Sequence, residues 1–195
     1  MQSANLSAIA HQIKTTSLFT GTSDADRFLH KQFLFLAVTG DKPASEIASG
    51  HWQKTATGRI AVPDNIAEVE AFLNQLPIAY HIKVESFALS IWVATDQEIL
   101  KQIMNATDNN QIGLLLGYPE TAVNALCNSK DELLSLSEQE SLLRQEVSDE
   151  QLLNLVCFRM SKQHYLAEFE TVKRWYEILQ RYALIPAVSP TSYTD

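Results

Sequence analysis

Two neighbouring runs of strict alternation constrain this chain more than any other feature. Ile78, Tyr80, Ile82 and Val84 alternate with Ala79, His81 and Lys83, and Phe87, Leu89, Ile91 and Val93 alternate with Ala88, Ser90 and Trp92. Successive strand side chains point to opposite faces, so a period of two in both runs specifies two half-buried strands. Their join at Glu85-Ser86 makes them an antiparallel hairpin; without Asn-Gly or Asp-Gly there, the turn type stays open. A lone hairpin is marginal in water, so it requires another strand or a covering helix.

Elsewhere the apolar spacing is helical. Leu6, Ile9, Ala10 and Ile13 predict a helix over 5–17, ended by Thr20-Gly21-Thr22. A second begins near Ser23, with Asp24 and Asp26 at the positive end of its dipole, and closes at Gly40. Its run Phe33–Val38 also fits a buried strand, but the acidic start favours helix. Residues 40–63 are the least regular, with a helical turn or two within Ala44–Trp52, a polar loop at Lys54–Arg59, and a turn at Pro63-Asp64-Asn65. Ile66, Val69, Phe72, Leu73 and Leu76 then share one helical face, stopped by Pro77.

After the hairpin, Thr95…Glu98 reads as a capping box before Ile99, Leu100, Ile103 and Met104. Ser129…Glu132 and Ser137…Glu140 read as two further boxes, and Ser148…Gln151 as another cap. Leu155-Val156-Cys157-Phe158 conflicts with that last cap, and the third strand is assigned to 153–160. Ser161 is read as the cap of a long helix, 162–184, with a stripe of Tyr165, Leu166, Phe169, Val172, Tyr176 and Leu179 and Trp175 at its edge. The expected fold is α+β: a small, mostly antiparallel sheet of about three strands covered by helices. It is read as one domain over 1–185 with a loose tail at 186–195.

Between the hairpin and the acidic, helix-rich half lies Gln111–Cys127. Gly117 is expected as a left-handed C-cap and Pro119 in the first turn of the next helix, where its missing N–H costs nothing. Ala122, Val123 and Leu126 are expected to face inward, with Glu120 at the positive N-terminus. The stretch Leu114–Val123 resembles the Leu-Gly-Tyr-Pro corner of a group of uncharacterised prokaryotic proteins. Those proteins carry two adjacent cysteines where this chain has Thr121 and Ala122. The resemblance therefore implies the hairpin–helix–corner layout and transfers no thiol role and no activity.

Composition narrows the function classes. With 46% hydrophobic and 19% charged residues, the chain can bury a substantial core. A net charge of −8 disfavours nucleic acid, whose binding rests on cations neutralising phosphates. The remaining nucleic-acid reading requires Arg59, Lys173 and Arg174 to converge. No apolar run approaches the ~20 residues of a membrane span, and no secretory signal opens the chain. Cys127 and Cys157 are too sparse for a disulfide scaffold and are read as packed thiols. The chain is accordingly read as soluble and cytoplasmic.

No nucleophile elbow, phosphate-binding loop or dinucleotide fingerprint is present. His11, His30, His51, His81 and His164 show no metal-ligand spacing, so neither metal, cofactor nor catalytic group is assigned. Whether the chain is an enzyme stays open. The leading expectation is a non-catalytic interaction or structural protein with a protein partner or self-association, supported if the last helix exposes an apolar face. The alternative is a small-ligand binder or enzyme with a pocket between sheet and helices. Its candidate polar residues are His81, Tyr118, Arg159 and His164, and two or more sharing one pocket would support it.

Overall fold

The computed structural model describes residues 3–19, 24–47, 51–55, 58–62, 66–84, 89–128 and 132–185. In chain order the elements are α1 (Ser3–Thr15), α2 (Asp24–Thr39), β1 (Ala44–Ile47), β2 (His51–Thr55), β3 (Gly58–Val62), α3 (Ile66–Leu73), β4 (Ala79–Val84) and β5 (Leu89–Ala94). Helices follow: α4 (Gln97–Asn105), α5 (Asn109–Leu115), α6 (Glu120–Asn128), α7 (Leu136–Glu146), α8 (Glu150–Leu153) and α9 (Tyr165–Arg181). A three-stranded antiparallel sheet of order β1-β5-β4 and a β2-β3 ribbon make this an α+β fold.

The expected hairpin is β4-β5, in register from Ala79↔Ala94 to Val84↔Leu89. The central strand is buried on both faces. Ile91 and Val93 join the main core, while Ala94 lies in line with Ala44 and Ala79 on the neighbouring strands. Those three alanines present a floor without bulk, on which Leu100 and Ile103 of α4 pack. The main core lies on the other side, built from α1, α2, α3 and α9. Helix α2 buries five consecutive residues, Leu34–Val38, because α1, α9, β1 and β5 surround it. A continuous apolar run thus belongs here to a helix covered on all sides, not to a strand.

The third strand is β1, where helical turns were expected, and not 153–160. Ala-Ser-Glu-Ile carries little strand signal of its own; pairing with β5 creates the strand. Residues 154–160 instead run irregularly after α8. Leu155 and Met160 sit in the core, and only an isolated bridge, Leu133↔Ser161, keeps β pairing there. Residues 51–62, expected as irregular chain, contain the β2-β3 ribbon.

Three caps shift, and one helix starts later than expected. Asp96, not Thr95, accepts from the Ile99 N–H, and Asp149, not Ser148, from that of Gln151. The box at α7 is Ser135…Glu138, two residues before the expected one. Ser161 stands ahead of α9, which starts at Tyr165 and not at 162; its hydroxyl accepts from His164 N–H at 3.1 Å, as a cap would, and donates to the buried carboxylate of Glu168 at 2.7 Å. Trp175, expected at the edge of α9's stripe, is wholly buried. The turn at Glu85-Ser86, the loop at Thr20–Thr22, Pro63–Asn65, Ser129 and the tail 186–195 lie outside the described residues.

Candidate functional site: a cleft beside a buried lysine

The site grows from the corner between α5 and α6. Helix α5 begins at the Asp108 cap, whose carboxylate accepts from Gln111 N–H at 2.9 Å. It ends in a Schellman motif: Tyr118 N–H donates to Gly113 C=O at 3.1 Å and Gly117 N–H to Leu114 C=O at 2.9 Å. Gly117 has φ +75°, the left-handed conformation expected of it. A Cβ on Gly117 would lie 2.9 Å from Pro43 Cδ, so the corner is pressed against the turn after α2. Helix α6 starts at Glu120, with the Pro119 carbonyl accepting its first bond from Val123. Gly113 lets the two helices close: a Cβ there would stand 2.7 Å from Val123 Cγ2.

Lys42 projects under this corner. It is only 2% exposed. Its ammonium donates to the Leu116 carbonyl at 2.8 Å, satisfying an otherwise orphaned group at the negative end of α5. Three rings surround it: Trp175 at 4.2 Å from the centroid, Tyr118 at 4.7 Å and Phe33 at 5.0 Å. Such contacts contribute about 2 kcal/mol each when desolvated, against a cost of burying a charge that is itself several kcal/mol. Among the described residues Lys42 makes no ion pair. Burial pushes its pKa down, and the nearby Cys157 opposes that. Trp175 is itself anchored by an indole N–H bond to Asp41 C=O at 3.2 Å.

Next to this box opens a cleft of about 290 Å³. Ile112, Leu116, Ala122, Val123 and Leu126 form its apolar walls, and Tyr118, Cys157 and Arg159 supply polar atoms. Leu126, expected to face inward, is 41% exposed and stands at the rim. Tyr118 stacks on Phe158 at 5.2 Å, and Phe158 meets Trp175 edge-on at 6.3 Å, so one aromatic series joins lysine box and cleft. Burial raises the Tyr118 pKa well above its usual range, and the nearby Cys157 adds to the shift. The phenol stays a donor at every physiological pH.

Arg159 is held by the chain segment that was expected to be a strand. Its Nε donates to the Leu134 carbonyl at 2.8 Å and its Nη2 to the same oxygen. Among the described residues Nη1 has no hydrogen bond, and the guanidinium makes no ion pair. Gln139 fixes the segment further, accepting from Met160 N–H at 2.8 Å and donating to Phe158 C=O at 3.2 Å.

Of the four candidates, the structure brings Tyr118 and Arg159 together. His164 borders a separate polar depression of about 200 Å³ with Ser161, Asn124 and Asn128. His81 is exposed on β4, opposite Trp92 in register. The cleft is enclosed by α5, α6 and residues 157–159, not by the sheet. Lys42 was missed altogether. Its sole sequence signal is its place directly after a buried helix, and such a place usually belongs to a loop. Cys157, read as an inert packed thiol in a strand, is half-buried in irregular chain and lines the cleft; Cys127 is exposed, and both are free thiols.

Among the described residues no group of three or more His, Cys, Asp or Glu could hold a metal ion, and no helix is long and apolar enough to cross a membrane. Lys173, one of three cations the nucleic-acid reading required, is engaged by Glu170 at 2.7 Å; the Arg59 side chain lies outside the described residues. Compared with protein-family models, curated proteins and solved structures, the chain matches none.

Proposed function

We propose that the protein binds a small ligand with a short acyl chain, whose carboxylate or carbonyl oxygen meets Arg159. One observation carries this reading: Tyr118, Cys157 and Arg159, with Asn109, are the polar residues lining a mostly apolar cleft. A mostly apolar lining with a few placed polar groups is what a ligand site of this size requires, although its volume sits at the low end of the usual ~300–1,000 Å³. The apolar walls reward a hydrocarbon tail at roughly 25 cal/mol per Å² removed from water. The Nη1 donor of Arg159 supplies a charge-assisted bond for the head.

The interaction-protein reading looked for an apolar face on the last helix. Helix α9 buries Phe169, Val172, Trp175, Tyr176 and Leu179, leaving Leu166 exposed by itself in that stripe. The cleft therefore carries the proposal. Titration calorimetry with octanoate and octanol tests it. Octanoate is expected to bind the native chain; Leu126→Trp, which fills the rim, should abolish binding of both probes. Arg159→Gln should weaken octanoate by about tenfold, the cost of roughly one charge-assisted bond, and leave octanol unchanged. No heat with either probe at millimolar concentration, or unchanged affinity in Leu126→Trp, would refute it.

A further inference from the structure

The cleft wall at Leu116 and Tyr118 gains little from the packing of α5 itself. That helix is seven residues long, and Gly113 is the one residue it fully buries. A short element with so little apolar burial opens easily unless something outside it fixes its end. The outside support is the turn Asp41–Pro43, which is firmly tied to the core. Asp41 N–H and Lys42 N–H donate to Leu36 C=O on α2 at 3.0 and 3.1 Å, and Pro43 C=O accepts from Thr95 N–H at 2.9 Å. The Trp175 indole holds the Asp41 carbonyl. From this turn the Lys42 side chain reaches both sides of Gly117. Its ammonium donates to Leu116 C=O at 2.8 Å and lies 4.7 Å from the Tyr118 ring centroid. Leu116 and Tyr118 both line the cleft, whereas Lys42 does not.

We propose that Lys42 is the positioning residue of the cleft: without touching the ligand, it holds the end of α5 and the Tyr118 ring in the arrangement that admits an acyl chain. This rests on the acyl-binding reading above. An apolar residue in the same aromatic box would fill the space at lower desolvation cost. It would leave the Leu116 carbonyl unbonded and Tyr118 without the cation beside its ring. The end of α5 would then turn toward water to satisfy that carbonyl, and the cleft wall would move with it. A wall ordered in advance raises affinity by removing the cost of ordering it on binding. The effect of the lysine is therefore read in ligand affinity, whereas a lysine that merely braced the fold would change stability alone. The titratable groups around the box are Tyr118 itself, Cys157 in the segment after α8, and Glu46 on β1, which acts on Tyr118.

Octanol is the probe, because it does not titrate. Its affinity for the native chain and for Lys42→Met would be measured by calorimetry well below both melting transitions. Lys42→Met should bind octanol about fivefold more weakly. Val69→Ala, a main-core change on α3 at a position that does not line the cleft, should lose stability and keep its affinity. The native chain supplies a second readout if Lys42→Met does not fold. Burial lowers the Lys42 pKa, so its charge is lost between about pH 5 and the ordinary 10.5. The neutral amine keeps only a weaker hydrogen bond and loses its attraction to the rings. Octanol affinity should therefore fall severalfold as pH rises through that range. Stability should move the opposite way, because loss of the proton relieves the buried charge. Tyr118 keeps its proton throughout, since burial raises it, and Cys157→Ser, which removes the thiol's titration, should retain the profile. Equal octanol affinity in Lys42→Met, an equal loss in Val69→Ala, or a flat pH profile in Cys157→Ser would overturn the inference while leaving octanol binding intact. A native chain that binds no octanol would instead sink the acyl-binding reading itself.

Discussion

Gly117 is the position at which local conformation and tertiary packing make separable demands, so Gly117→Ala is the most informative perturbation of the corner. The left-handed backbone at φ +75° costs a residue with a Cβ roughly 1–2 kcal/mol. Alanine also reduces the freedom of the unfolded chain, which returns about 0.4–1 kcal/mol. The second demand is steric: the new methyl would meet Pro43 Cδ at 2.9 Å, with Lys42 Cα at 3.5 Å behind it. A ring atom next to backbone yields little, so overpacking there costs about 1–3 kcal/mol. The net expectation is a loss of about 2–3 kcal/mol. In urea, with a slope of about 2 kcal/mol per molar, the midpoint should fall by about 1–1.5 M. Pro43→Ala removes the opposing ring atom, so the double-mutant cycle should recover the steric share and leave the conformational one. A loss below about 0.5 kcal/mol, or a cycle with no coupling, would show that the corner does not press on Pro43.

Gly113 sits inside α5, where Gly→Ala ordinarily stabilises by about 0.5–1 kcal/mol; with Val123 Cγ2 at 2.7 Å the sign should invert, and Val123→Ala should restore the gain in chemical denaturation. Lys42 predicts a pH dependence whose sign follows from its lowered pKa. Between the folded value and the usual 10.5 the unfolded chain holds a proton that the native chain has lost, so stability rises with pH through that window. Lys42→Met should lack this rise, and the stability difference between native chain and variant should move in the native chain's favour on going from pH 7 toward pH 10; parallel curves would refute the burial of the charge. Above pH 10 the trend should reverse, because burial and the Asp149 contact raise Tyr176 to about 12 and Tyr118 is raised further by burial, so the native chain keeps phenol protons that the unfolded chain releases. Tyr176→Phe should shrink that reversal in thermal melts followed across the alkaline range.

The hairpin was legible because its signal is local and repeats. Strand β1 was not, since Ala-Ser-Glu-Ile has no pattern and becomes a strand only by lying along β5. At α7, Ser135…Glu138 and Ser137…Glu140 both satisfy the box, and nothing within the sequence separates them. The structure selects Ser135, whose hydroxyl accepts from Glu138 N–H at 3.2 Å while the Glu138 carboxylate accepts from Ser135 N–H at 2.7 Å. Residues 155–158 look like a strand because they are apolar. Their burial comes instead from being pinned at scattered points: Leu134 N–H to Met160 C=O at 2.9 Å, Gln139 to 158 and 160, and Arg159 back to Leu134. Apolar composition reported the burial of Leu155 and the half-burial of its three neighbours, but not the conformation, as expected where backbone groups are satisfied by side chains rather than by a ladder.

The site was less legible than the fold for the same physical reason carried further. Tyr118 could be singled out because the corner around it has a local signature. Lys42 could not, since what makes it unusual is assembled from afar: its hydrogen-bond acceptor is 74 residues away, and the tryptophan above it is anchored to Asp41 across 134 residues. A lysine in a loop after a helix is ordinarily a solvated charge. Here the same residue loses its water because α5, α9 and α2 each contribute a ring or a carbonyl to its surroundings. An apolar side chain would fill that space at lower cost in desolvation. What an apolar side chain would not supply is a donor for the Leu116 carbonyl at the end of α5, at the point where the corner hands the chain over to the cleft. The cost of the buried cation therefore falls on the same few residues that form the cleft's polar edge, and it is there that its compensation is to be sought.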